Sequence, residues 1–273
     1  MSTTTVTATV PRTRAQRSWR PRLVSAEFLK LRKRRGLLIS VFALTVLPMI
    51  IGYTVLLTLH AANPGKHGPA GGLKNLSGSM DMLSTLSIVA GILVGATLGA
   101  GDLGSGVFRE LVVTGRSRLA LFAARVPAGL GFLLPIVGAG FAITATGSMV
   151  FAGSLEAPSA SLLVGSAAWL GLVASLALVL ALGVSSVLGS RGTTIGIVFG
   201  WQIVAAPVLL QIRALGSLRD GLLGAATDRL APAALFEGSP KVKMSLAAAV
   251  LVIAMWTIVP LAVGAWRTCT RDA

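Results

Sequence analysis

The chain has 273 residues, 54% of them hydrophobic and 12% charged, with a mean hydropathy of +0.82; soluble domains carry roughly a quarter charged residues, so a soluble globular protein is excluded and an integral membrane protein expected. Its net charge of +15 could serve nucleic acid, anionic lipid or membrane topology, yet ten of the 24 Lys and Arg precede residue 36, opposed there only by Glu27, and no nucleic-acid-binding motif or aromatic platform accompanies them. Nucleic acid is therefore set aside as a partner, and the lone Cys269 excludes an internal disulfide and a cysteine-built zinc centre.

Residues 1–21 open with "MSTTTVTA" and continue basic, the composition of a disordered N-terminus. A cleaved signal peptide is not expected, because about 35 polar and basic residues precede the first apolar run, and Arg34 and Arg35 lack the rest of a twin-arginine signal. In "RLVSAEFLKLRKRR" (22–35), Val24, Phe28 and Leu31 recur at helical spacing while Lys30, Arg32, Lys33 and Arg34 crowd the remaining surface. Such a segment is an amphipathic helix lying in the headgroup plane, or a basic topology anchor with incidental apolar residues.

A membrane-crossing helix needs about 20 mainly apolar residues. Charge-free runs occupy 36–59, 82–101, 126–155, 157–190, 192–212 and 244–266, and "AGSLEAPSAS" at 152–161 breaks the third from the fourth. The expected fold is thus all-α: a six-helix transmembrane domain over 36–266, with spans at about 36–59, 82–101, 126–150, 162–189, 192–211 and 244–266, and a short tail at 267–273. An even number of spans puts both termini on one side. The flanks on that side hold seventeen Lys and Arg against seven on the other (Lys66, Lys74, Arg213, Arg219, Arg229, Lys241, Lys243), so both termini and the tail are expected in the cytoplasm. Within 211–243, Leu215, Leu218, Leu222, Ala226 and Leu230 approximate a helical stripe interrupted by Gly216, Gly221 and Gly224, consistent with a hairpin dipping into the outer leaflet or a surface helix on the bundle.

Reactive chemistry is sparse. His60 and His67 lie around an outer loop without the i, i+4 pairing of a zinc protease, and Gly65-Lys66 is followed by His67, so no phosphate-binding GxxxxGK[ST] loop is formed. None of the expected spans contains a carboxylate or histidine of the kind that ion-driven transporters carry; Gln202, Thr45 and Thr54 are available polar groups suited to helix–helix hydrogen bonding. Two glycine ladders, Gly91, Gly95, Gly99 and Gly192, Gly196, Gly200, permit close backbone approach, within the bundle or at a subunit interface. Pro48, Pro127, Pro135, Pro207 and Pro260 are candidate kinks.

Between the second and third spans, "GATLGAGDLGSGVFRELVVTGRSRLALFAARV" (95–126) resembles the corresponding stretch of type-2 export permeases of the ABC transporter superfamily. The matching features are Asp102, Gly106, the amphipathic "VFRELVV", Thr114-Gly115, Ser117-Arg118 and Arg125. Departures are Asp102 where Glu is commoner, Val107-Phe108 where a Thr-Leu pair is usual, and Arg116 where Pro is frequent. "SAEFLKLRKRRGLL" is similar to the N-terminal Glu-x-x-Lys-Leu-Arg helix of these permeases through Glu27, Lys30, Leu31 and Arg32, beside Phe28, and "AWRTCTRDA" resembles their basic tail.

The resemblance implies a permease without catalytic chemistry of its own, in a bacterial cytoplasmic membrane, paired with a separate ABC ATPase subunit that binds ATP and Mg, and with a second permease copy as homodimer or heterodimer. It also implies that the loop after the second span is a coupling helix docking in the ATPase, assisted by the interfacial helix. Val107, Phe108, Leu111 and Val112 then supply an apolar strip, Arg109 and Glu110 the partner-facing charges, and Asp102, Gly106 and Arg118 the frame. The alternative is a stand-alone membrane scaffold or immunity protein without turnover.

Overall fold

The computed structural model describes residues 19–104, 117–235 and 244–270, and within them no strand is formed. Helix α1 (Trp19–Lys33) is separated at Arg34 from α2 (Arg35–Thr45) and α3 (Leu47–Ala62). Pro48 cannot donate to the carbonyl four residues back, and the first span breaks at Val46, putting the proline in the first turn of α3 where a missing N–H is harmless. Next come α4 (Gly72–Gly104), α5 (Arg118–Val150) and α6 (Ala160–Leu188). Ser159 caps α6 by accepting from the Leu162 amide at 3.3 Å, and Gly189, at φ 70°, closes it in the left-handed region. The fifth span is α7 (Arg191–Phe199), a π-helical turn (Gly200–Ala205) and α8 (Ala206–Gln211); after a 3-10 stretch (Arg213–Gly221), α9 (Leu223–Leu230) and a 3-10 turn (Ala233–Leu235), α10 (Leu246–Thr270) ends the bundle.

Among the described residues, six helical segments are long and apolar enough to cross a membrane: Arg35–Ala62, Gly72–Gly101, Arg118–Val150, Ala160–Leu188, Arg191–Gln211 and Leu246–Thr270. The second begins earlier than its charge-free run, because Leu76, Met80 and Leu83 carry a buried stripe back past the exposed Lys74 and Asp81.

The second and fourth spans form the centre: 67% of each apolar window is buried, against 6% for the sixth. Along α10, Leu251, Ile258 and Val259 face outward, an apolar surface fit for lipid rather than water. The central contact is made by the first glycine ladder. A Cβ on Gly91 would sit 2.7 Å from the Ala174 carbonyl oxygen, one on Gly99 2.6 Å from Ser185 Cβ, and one on Gly95 would strike the Leu178 carbonyl. Backbone thus touches backbone, and Ser185 Oγ crosses the seam to donate to the Ala96 carbonyl at 2.8 Å. Around Gly192, Gly196 and Gly200 no such neighbour lies within 4 Å.

Candidate coupling site

Both described termini lie at one end of the bundle, where Arg118 Nη1, at the start of α5, donates to the Cys269 carbonyl at the close of α10 across 3.1 Å. Ser117 caps α5, its Oγ accepting from the Ala120 amide at 3.2 Å. The backbone of Asp102 belongs to the last turn of α4; Gly106, Val107, Phe108, Arg109, Glu110, Leu111 and Val112 lie outside the described residues. What the structure defines is therefore the pair of stems that carry the loop.

Helix α1 packs along α5 beside those stems. Its inward stripe is Leu23, Glu27 and Leu31, one residue around the helix from the expected Val24, Phe28 and Leu31. Leu23 clusters with Leu121 and Ala124, while Val24 and Phe28 are half-buried on the flank. The inward carboxylate of Glu27 is bonded to Lys30 Nζ at 2.7 Å, so its charge is compensated, and Arg32 remains exposed.

Arg125 is the residue that sequence reasoning undervalued. Read as a basic flank of the third span, it is 1% exposed inside the bundle, with Nη1 at 3.5 Å from the Gly99 carbonyl. Arg34 approaches the same helix end, its Nη2 3.3 Å from where a Cβ on Gly101 would stand. Gly99 precedes the end of α4 at Gly104 by five residues, so its carbonyl oxygen offers Arg125 the second lone pair that a backbone acceptor carries, and the negative end of the helix dipole close by favours guanidinium groups there. The advance signals were its position directly adjoining an apolar run and its place in the resemblance as the basic residue that opens the third span.

At the opposite end the expected single stripe is split, because Gly216 adopts φ 51° and ψ −129°. Leu218 is exposed and Ala226 buried, so the stripe residues do not share one face. Instead α9 folds back among the spans. Trp169 Nε1 donates to the Thr227 carbonyl at 2.9 Å and Trp256 Nε1 to the Gly221 carbonyl at 2.9 Å. At 1.5 Å rise per residue, Trp169 lies about 13 Å in from the start of α6 and Trp256 about 15 Å in from the start of α10, so the segment dips into the bundle. Trp201 stacks on Trp256 at 6.1 Å.

Beneath the hairpin a cavity of about 70 Å³ is lined by Ile88, Val173, Gln202, Pro207, Leu223 and Thr227. Gln202 belongs to the π-helical turn, a geometry that recurs at functional sites. His60 Nδ1 contacts the His67 carbonyl at 2.7 Å, a link across the outer loop.

A family model described as ABC-2 family transporter protein matches residues 23–212, from within α1 to the end of the fifth span. No curated protein matches the chain.

Proposed function

The chain belongs to the ABC-2 family of transporter proteins, and from that premise we propose that it is the permease subunit of an ATP-driven exporter, energised by a separate nucleotide-binding subunit that holds ATP and Mg. We place it in the bacterial cytoplasmic membrane with the arginine-rich end inside, because seventeen of the 24 Lys and Arg belong to flanks at that end.

The observation that carries the reading is the clamping of the loop stems. Arg125 joins α5 to the Gly99 carbonyl of α4, Arg34 stands against the same helix end, and Arg118 joins α5 to α10. ATP binding closes the partner subunits, the 105–116 loop riding on them moves, and stems pinned in this way pass the displacement to several spans at once. Such a bias shifts the bundle between inward-open and outward-open packings. Val107, Phe108, Leu111 and Val112 provide the docking strip, Arg109 and Glu110 its charges, and α1 braces the site.

A second permease copy completes the complex. The open, small-residue face of Gly192, Gly196 and Gly200 supports an approach there, since the other ladder is consumed within the protomer. An amphipathic or hydrophobic cargo suits the largely apolar interior.

Co-purification from native membranes in mild detergent is expected to return a stoichiometric ATPase; its repeated absence would favour a scaffold or immunity protein instead. In the reconstituted complex, Phe108→Ala combined with Glu110→Arg is expected to cut coupled transport about tenfold or more, as for truncation of an interface anchor, while membrane insertion is unchanged. Undiminished coupled transport in that variant overturns the docking role.

A further inference from the structure

Where α1 lies on α5, an open groove of about 440 Å³ runs between them. Leu23 and Val24 form one wall, and Leu119, Ala120, Ala123 and Pro127 form the other, with Ser117 at the rim. The groove is written in the sequence: Ala120 and Ala123 stand three residues apart on one helix face and remove the bulk that longer side chains would put there. Leu119, 56% exposed, edges it.

Its depth and charge identify the occupant. The first charge-free run begins at residue 36, just after α1, and the third at 126, at the inner end of the groove, so the groove straddles the boundary between headgroups and hydrocarbon. Glu27, the one acid within residues 19–33, is turned inward and bonded to Lys30, whereas Arg22, Arg32 and Lys33 are exposed. One helix thus carries both an apolar trough wall on its flank and exposed cations over its remaining surface, the features that the two halves of one molecule require. We infer that this groove seats an acyl chain of an anionic phospholipid whose phosphate rests against the basic surface of α1. The site is built from this chain alone and stands independently of any ATPase partner.

The test uses the full chain in mixed-lipid nanodiscs, with phosphatidylglycerol or phosphatidylcholine carrying the same photoactivatable acyl chain, and maps adducts by peptide mass spectrometry. Phosphatidylglycerol adducts at residues 19–24 and 117–127 are expected to exceed those of phosphatidylcholine. Arg22→Gln with Arg32→Gln is expected to erase that preference, each arginine contributing about fivefold. Ala120→Trp, or Ala123→Leu should the larger residue prevent folding, is expected to abolish groove adducts while labelling of the exposed α10 face at Leu251 and Ile258 persists. Equal labelling by the two lipids, labelling that survives a filled groove, or photo-cross-linking of the groove to residues 1–18 would each overturn the assignment.

Discussion

Gly91, Gly95 and Gly99 share their spacing with Gly192, Gly196 and Gly200, yet the first ladder is pressed against the backbone of α6 and the second meets nothing within 4 Å. Identical sequence patterns therefore hold opposite positions in the molecule. The four-residue period says that a helix can be approached closely; only the surrounding fold says whether the approach has been made.

The sharpest way to break this contrast is Gly95→Leu, whose added side chain must displace the Leu178 carbonyl. Destabilisation of about 3 kcal/mol, the upper range for overpacking, is expected in thermal unfolding of the detergent-solubilised protein. An unchanged melting temperature would mean that the central seam is looser than drawn. Next is Arg125→Met, at the foot of the same ladder: losing the long 3.5 Å contact of the buried guanidinium with the Gly99 carbonyl is expected to cost about 1 kcal/mol. In the reconstituted complex it should also raise ATP hydrolysed per cargo moved.

Ser185→Ala probes the seam more gently. Removing the hydroxyl that donates to Ala96 is expected to cost about 0.6 kcal/mol, as for other interhelical bonds in bilayers. Gly196→Leu, on the open ladder, is expected to change monomer stability by less than about 0.5 kcal/mol. It should nonetheless abolish cross-linking between copies carrying Gly200→Cys in a Cys269→Ser background. Cross-linking that never forms, with or without the leucine, would remove the second ladder from the proposed dimer.

The spans were legible because a charge inside hydrocarbon is costly, so runs lacking one stand out; the break at 152–161 was equally plain, and Ser159 caps α6 there. Helix α1 was legible as amphipathic but not in its exact facing. The stripes Val24/Phe28/Leu31 and Leu23/Glu27/Leu31 are adjacent, and a rule that turns carboxylates outward selects the wrong one when Lys30 compensates Glu27. The dip of α9 was legible only as one of two alternatives, since choosing it over a surface helix depends on hydrogen bonds from Trp169 to residue 227 and from Trp256 to residue 221, pairings that no local pattern encodes. Arg125 escaped for a similar reason: a basic residue at the edge of a span normally reads as a topology marker, and its burial follows from where the end of α4 lands.

The dipping hairpin also imposes an order on biosynthesis. Trp169 is made before the segment it holds, whereas Trp256 follows Gly221 by 35 residues. At synthesis rates of about 5–20 residues per second, the first tryptophan can engage at once and the second arrives roughly two to seven seconds later. During that interval the hairpin is held from one side only, so the last span acts as the latch that completes the bundle.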